Sequence, residues 1–304
     1  MTFPGQGSLH RAPFKTGALR ARLREVVREI GAADYVTGAL CDGLLPTPDR
    51  LSLFVFAASV AHYRVLQSLG VRPGALMGHG FGEIVALVCG GGFSAAQGAA
   101  IVLHRAAALE RCCDQAGRMV VARTTRATAG RLVDSVGRDR VAVAAENSRT
   151  EIVLSGTRSG LDALLALARK EAIAWRDLSA PWPLHCHRAM RHPAADLVGR
   201  LRHLATGRLH TPVFSPILAR YYRDSDNLVE CLSLHLTAPV RFADAFDKLW
   251  SEGFRTFLTC GPLRGLDRSI ADLIRGGSAA AAVPAETSTD GLLERPVECQ
   301  ALAS

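Results

Sequence analysis

The sequence predicts an α/β protein, in which a layered domain with a mostly parallel sheet carries a smaller α/β unit inserted in the middle of the chain. Three observations support this prediction. Helical periodicity alternates with short apolar strands in both outer parts of the chain. The middle part follows a strand–helix–strand–strand–helix–strand order instead. A chain of 304 residues has room for one large domain with an insertion.

The large domain is predicted from amphipathic helices and short buried strands. The helical segments are 19–30, 51–69, 95–111 and 242–252. The strand-like runs are 75–77, 213–217 and 256–259. Because strands that alternate with helices are joined by crossovers, we expect their sheet to be mostly parallel.

The middle of the chain has the βαββαβ order of a ferredoxin-like unit. Its strands are predicted at 119–123, 141–145, 152–155 and 172–177, and its helices at 128–136 and 160–170. We therefore expect a small domain at 118–183, inserted in a large domain made of 1–117 and 184–276. The segment 277–304 is rich in Ala, Ser, Thr and Glu without periodicity, which predicts a disordered tail.

Composition excludes several classes of function. The net charge is +8, and all but three of the 36 basic residues are Arg, which favours an acidic partner. No basic run carries interleaved aromatics, which argues against nucleic acid. The eight Cys show no metal-type spacing, so free thiols in a reducing cytoplasm are expected. No bound metal or cofactor is expected either. No apolar stretch reaches the roughly 20 residues that span a bilayer.

The segment GHGFGE at 78–83 has the outline of a nucleophile elbow, the strand-to-helix turn that presents a catalytic Ser or Cys. An apolar run lies on each side of it. The central position is Gly80, which has no side chain to acylate. Glycine adopts the strained backbone of such a turn without penalty, so we expect the fold to tolerate it.

Seven motifs in register, from residue 3 to about residue 270, resemble those of the malonyl-CoA:acyl-carrier-protein transacylase family, which includes polyketide synthase acyltransferase domains. They are FPGQG (3–7), GHGFGE (78–83), LHRAAAL (103–109), AENSRTEIVLSG (145–156), WPLHCHRAM (182–190), HLTAPVRF (235–242) and FLTCGP (257–262). The resemblance implies an α/β-hydrolase-like large domain with a parallel sheet and an inserted ferredoxin-like βαββαβ small domain. It also implies that the family has Ser where this chain has Gly80.

The resemblance implies a reaction in which Ser takes an acyl group from coenzyme A and passes it to the thiol of an acyl carrier protein. Such chemistry needs a nucleophile, a base and donors for the oxyanion. By motif position, the backbone N–H groups of Gln6 and Phe81 would be those donors. Arg105 would hold the malonyl carboxylate in a two-pronged hydrogen bond. Further residues implied in substrate binding are His79, Trp182 and Leu184.

The base is either of two histidines. The residues immediately before His185 fit the family pattern and favour His185. The spacing to the Pro-Ala-Ala segment at 193–195 favours His187 instead. Two departures affect the surroundings of the base. Pro216 stands where the family usually has an Asn that forms a hydrogen bond to the region of the catalytic His. A backbone carbonyl would have to supply that hydrogen bond here. His235 stands where a Gln is common.

A covalent acyl-enzyme of the usual kind is not expected. When catalytic residues act together as a unit, loss of the nucleophile removes most of the catalytic rate. A non-catalytic pseudo-acyltransferase would serve as a scaffold or binding partner in a synthase complex. A transferase of altered mechanism would let the carrier thiol attack bound acyl-CoA directly, with His185 as base. A hydrolase would admit water into the space of the missing side chain. Alternatively, Gly80 marks an inactivated copy of an ordinary transacylase.

Polyketide or fatty-acid assembly is the expected setting. The expected partners are an acidic acyl carrier protein and acyl-CoA, the latter as a substrate, with ketosynthase components as further partners. The chain is expected to be a cytoplasmic monomer without membrane or nucleic-acid partners. Arg105 indicates a carboxylated acyl unit, for which malonyl is the first choice and a simple starter such as propionyl the second.

Overall fold

The computed structural model describes residues 1–5, 17–32, 47–112, 117–178, 182–262, 265–275 and, for the backbone, 282–284. The strands are β1 Thr2–Phe3, β2 Leu76–Gly78, β3 Gly117–Arg123, β4 Val141–Ser148, β5 Glu151–Thr157, β6 Trp175–Leu178, β7 Val213–Ser215, β8 Arg220–Tyr221, β9 Val240–Arg241, β10 Phe257–Thr259 and β11 Ala282–Pro284. The helices are α1 Gly17–Glu29, α2 Pro48–Ser68, α3 Gly82–Gly90, α4 Ala95–Cys112, α5 Arg126–Val136, α6 Arg158–Lys170, α7 His187–Leu201, α8 Leu228–Thr237, α9 Phe242–Ser251 and α10 Leu266–Arg275. Within these ranges, no helix is long and apolar enough to cross a membrane.

The larger sheet has six strands in the order β11-β10-β1-β2-β7-β8. All neighbouring pairs are parallel except β7 and β8. The mostly parallel sheet expected from the alternating pattern is therefore confirmed. Helix α3, which follows β2, is buried along almost its whole length and packs against β1 and β2, so the turn between β2 and α3 is held between these elements.

The smaller sheet has the order β6-β3-β5-β4-β9, and its first four strands pair antiparallel. With α5 and α6 between them, these strands form the ferredoxin-like βαββαβ arrangement that the sequence predicts. Thr125 and Thr157 begin the two helices, since each side-chain oxygen accepts a hydrogen bond from a backbone amide of the first turn. A separate hydrophobic core, which includes Leu132, Ile152 and Leu161, lies between these helices and the sheet.

Strand β9 joins the two layers because it pairs in parallel with β4, with Ala145 opposite Val240 and Glu146 opposite Arg241. The segment after α8 therefore lies beside both the small sheet and the turn at the start of α3. The domain boundaries given above stay a prediction.

The disordered tail predicted at 277–304 stays a prediction. Within that segment the structure describes β11, which pairs in parallel with β10, with Leu258 opposite Val283. The exposed edge of β10 offers backbone donors and acceptors to any extended segment that reaches it, whatever its side chains. The rest of 277–304 lies outside the described residues.

Candidate active site

The segment 78–83 forms a strand–turn–helix unit in which backbone packs against backbone. Gly80 has φ +54°, in the left-handed region that favours glycine. A β-carbon on Gly82 would stand 2.2 Å from the carbonyl oxygen of Phe3, and one on Gly78 would stand 2.0 Å from the amide nitrogen of Glu83. The outer glycines of the motif are therefore required by contact, and the elbow geometry is present.

His185 is fixed in the turn that precedes α7. Its backbone N–H donates to Leu236 O at 2.7 Å, and its Nδ1 lies 2.8 Å from Ala238 O. Because a carbonyl oxygen only accepts hydrogen bonds, Nδ1 carries the imidazole proton and Nε2 carries a lone pair. A backbone carbonyl thus faces the imidazole, as Pro216 led us to expect.

The lone pair of His185 faces the elbow. Its Nε2 lies 3.2 Å from the point where a β-carbon on Gly80 would stand. Among the described residues, the next atoms from that point are Cε1 of the same ring at 3.6 Å and Cγ2 of Val240 at 3.7 Å. Burial lowers the pKa of His185 to about 3, so the imidazole is neutral at neutral pH. The side chain of His187, the first residue of α7, lies outside the described residues.

Arg105 places a buried cation beside the elbow. It lies on α4, is 3% exposed, and its Cζ is 5.7 Å from the centroid of the Phe81 ring. Burial lowers the pKa of Arg105 to about 10, so the guanidinium stays charged at neutral pH. A guanidinium in this position can bind a carboxylate through two parallel hydrogen bonds.

Phe81 stands at the N-terminus of α3. The first amides of a helix have no carbonyl partner within the helix and carry a partial positive charge, so the Phe81 N–H is suited to an oxyanion. Gln6, the second expected donor, lies outside the described residues. One of the two expected oxyanion donors therefore lies among the described residues.

His79 connects the elbow to the small sheet. Its Nε2 donates to Asn147 Oδ1 at 2.7 Å, and Asn147 Nδ2 donates to Glu151 Oε1 at 2.9 Å. Burial lowers the pKa of His79, although the Asn147 hydrogen bond opposes this shift. The residue expected to bind substrate is thus also part of a hydrogen-bonded chain to the hairpin of β4 and β5.

Trp182 and Leu184 lie in the turn before His185. Leu184 is buried, Trp182 is half-buried, and the Leu184 amide donates to Trp182 O at 2.9 Å. Between them, Pro183 packs so closely on β3 that a β-carbon on Gly117 would stand 2.2 Å from its Cδ. This packing fixes the turn that presents His185.

A buried polar cluster lies behind the elbow, and the sequence analysis named its member His235 but missed Glu83 and Tyr222. Tyr222 donates its hydroxyl to Glu83 Oε1 at 2.7 Å, and His235 Nε2 lies 3.5 Å from the same oxygen. Burial raises the pKa of Tyr222, and the Glu83 carboxyl adds to this shift. Glu83 closes the GHGFGE motif at the start of an apolar helix, so a buried carboxylate there was the available signal.

Comparison with known proteins is consistent with this geometry. The family described as acyl transferase domain matches residues 26–288. The non-reducing polyketide synthase aptA of Emericella nidulans is 26% identical over 231 residues, which is 74% of this chain and 13% of the synthase. The malonyl CoA-acyl carrier protein transacylase of Bacillus subtilis is 27% identical over 275 residues, which is 86% of this chain and 68% of that protein.

Solved structures share the fold. The malonyl-transacylase PlMCAT, solved in complex with the type II polyketide synthase acyl-carrier protein AntF, superimposes with a TM-score of 0.86 at 22% identity, covering 97% of this chain and 98% of that chain. The chain spans only 6–13% of the length of the first synthases it matches. The family match covers most of the chain. The chain therefore belongs to the acyl transferase domain family, that of malonyl-CoA:acyl-carrier-protein transacylases and polyketide synthase acyltransferases.

Proposed function

We propose that this chain moves a malonyl-type acyl group from coenzyme A to an acyl carrier protein in polyketide or fatty-acid assembly, without an acyl-enzyme on residue 80. The observation that carries the proposal is the lone pair of His185 Nε2, held 3.2 Å from the β-carbon position of Gly80. A basic atom fixed beside an elbow is what acyl transfer requires of its base.

The absence of an acyl-enzyme on residue 80 follows from its chemistry. The family resemblance puts a Ser at this position, and glycine offers no oxygen to carry an acyl group. What the site retains is an amide at the start of α3, a buried guanidinium and a neutral imidazole. These groups can stabilise an oxyanion, bind a carboxylate and accept a proton or an acyl carbon.

Two observations support an acyl carrier protein as the partner. PlMCAT was solved with an acyl-carrier protein, and it shares the fold of this chain. The net charge of +8 suits an acidic partner, since opposite charge speeds the encounter of two proteins. Arg105 supports malonyl as the acyl unit because its guanidinium remains charged beside the elbow.

A second candidate is a non-catalytic binding partner in a synthase complex. The observation in its favour is the close approach of the imidazole, because a Ser β-carbon at residue 80 would be nearer to Nε2 than most such contacts. An imidazole that fills part of the nucleophile's space is compatible with a site that only binds.

The test combines the chain with malonyl-CoA and a holo carrier protein, then measures the intact masses of both proteins and the free malonate released, against a control without the chain. Malonylated carrier above the control supports transfer. Free malonate without malonylated carrier supports a hydrolase instead. If neither product exceeds the control, transfer is wrong and the binding partner remains.

A further inference from the structure

We propose that Nε2 of His185 is itself the nucleophile of this site and takes the acyl group as a covalent acyl-imidazole. The inference rests on the proposed function, because it needs an acyl thioester bound at the elbow. In this role Nε2 bonds to the acyl carbon, whereas a base would only pass a proton between two other groups.

The first support is the fixed direction of the lone pair. The imidazole is held at Nδ1 by Ala238 O, and its backbone is held by Leu236 O, both at the end of α8. These bonds define the tautomer and orient the ring. Nucleophilic attack needs such an orientation, with the reacting atoms about 3–3.5 Å apart.

The second support is the space that Gly80 leaves. A side chain on residue 80 would begin 3.2 Å from Nε2 and would fill the space in front of the imidazole. Without it, the described atoms closest to that space are those of the imidazole and a methyl group of Val240. The acyl carbon can then approach Nε2 directly.

The third support is the retained charge stabilisation. Attack on a thioester carbonyl places negative charge on its oxygen, and the Phe81 amide at the start of α3 is suited to receive it. Arg105 lies against the Phe81 ring and can hold the far carboxylate of a malonyl group. Both groups act on the acyl unit whichever atom attacks it.

The step balances without a further reactant. The Nε2 lone pair bonds to the carbonyl carbon, the carbon–sulfur bond breaks, and coenzyme A leaves as a thiolate that takes a proton from water. The proton on Nδ1 stays on its hydrogen bond to Ala238 O, so the acyl-imidazole is cationic. The carrier thiol then loses a proton to water, its thiolate attacks the acyl carbon, and the carbon–nitrogen bond breaks to restore the neutral imidazole.

The surroundings also favour turnover of this intermediate. Burial lowers the pKa of His185 to about 3, which keeps the ring unprotonated and makes it a good leaving group once acylated. A weakly basic nitrogen is expelled more readily by a thiolate than a strongly basic one. The intermediate is therefore expected to be short-lived, so its test is kinetic.

The experiment measures exchange of isotopically labelled coenzyme A into malonyl-CoA by the unaltered chain, with no carrier protein present. An acyl-imidazole releases coenzyme A before any carrier binds, so label is expected in malonyl-CoA. No exchange, in a preparation that does malonylate a holo carrier, overturns the nucleophile and leaves His185 as base. No exchange and no carrier malonylation overturns both this inference and the proposed transfer.

Two variants test whether the nucleophile is on His185. His185→Gln, purified in parallel and checked for an intact fold by thermal unfolding, is expected to lower the exchange rate at least about 100-fold. His192→Gln, at an exposed position on α7, is the matched control and should leave the rate within about two-fold. Exchange that persists in His185→Gln assigns the activity to another group or to a contaminating host enzyme and overturns the inference.

Discussion

His185 and Gly80 face each other across the elbow, and both adopt positive φ angles, +60° and +54°. A non-glycine residue in this region costs roughly 1–2 kcal/mol. His185 is held there by the carbonyls of Leu236 and Ala238. Among the described non-glycine residues, Ala172 and Ala219 also have positive φ, but of the three only His185 faces the elbow, and functional strain is usually found at such sites.

A hydroxyl at residue 80 tests the rest of the site. Gly80→Ser is expected to gain one malonyl adduct per chain from malonyl-CoA, because the base, the amide of α3 and Arg105 are in place. The Ser β-carbon would lie 3.2 Å from Nε2, so the imidazole must shift by a few tenths of an ångström. Intact-protein mass measures the adduct.

Gly80→Ala is the matched control, since it carries the same backbone cost without the oxygen. Both variants are expected to lose about 1–2 kcal/mol of unfolding free energy, because φ is positive at this position. An adduct on the Ala variant would assign acylation to another residue. No adduct on the Ser variant would contradict the view that the remaining groups are arranged for acyl transfer.

The close approach of α3 to β1 predicts a severe effect at Gly82. Gly82→Ala is expected to cost at least about 3 kcal/mol, because its β-carbon would stand 2.2 Å from a backbone oxygen that has no freedom to move. Gly130→Ala is the control: nothing lies within 4 Å of a β-carbon there, on helix α5. It should stabilise the chain by about 0.5–1 kcal/mol. Urea unfolding measures both, and equal effects would contradict the packing described.

The buried guanidinium predicts selectivity for a carboxylated acyl group. Arg105→Gln is expected to weaken binding of malonyl-CoA about 10- to 100-fold, since charge-assisted hydrogen bonds contribute about 1.5–3 kcal/mol. Acetyl-CoA has no carboxylate for Arg105, so its affinity should change little. Calorimetric titration of both ligands gives the comparison, and an equal loss for the two would remove Arg105 from carboxylate binding.

The buried imidazole predicts a pH-dependent stability. The folded chain protonates His185 only near pH 3, whereas the unfolded chain does so near 6.5. Between these values the unfolded state binds more protons, so stability falls as the pH falls through this window. His185 alone should remove about 2 kcal/mol between pH 7 and pH 5.

Urea unfolding of the unaltered chain and of His185→Gln at pH 7 and pH 5 measures this contribution. The difference between the two proteins is expected to shift by about that amount in favour of the variant at pH 5. The pKa of His62 is also lowered by burial, to about 4, and acts in the same direction in both proteins. A difference that does not change with pH would mean that His185 is solvated in the folded chain.

Local pattern was sufficient to predict the fold class. The alternation of apolar runs identified both sheets, and small residues at 78, 80 and 82 identified the elbow. These signals are local, since periodicity and turn chemistry depend on neighbours along the chain. Helix α2 begins at Pro48 instead of residue 51. Proline is favoured in the first turn of a helix, but the apolar periodicity that predicted the helix begins only after that turn.

Long-range contacts could not be predicted in the same way. The partner of His185 Nδ1 is a backbone oxygen, that of Ala238, which no side-chain pattern reports. The hydrogen bond of His79 to Asn147 joins the turn after β2 to strand β4, across 68 positions in the sequence. Strand β11 depends on an open sheet edge, which the Ala-rich segment around it does not reveal. Each of these features depends on tertiary packing.

The most direct test of the central claim is the rate of malonyl-carrier formation by the unaltered chain and by His185→Gln at equal concentration. His192→Gln serves as the control for changes on α7. The account predicts transfer by the unaltered chain and a loss of about 100-fold or more in His185→Gln, because Nε2 is the basic atom at the elbow. Equal rates in both proteins, or no transfer by either, would contradict it.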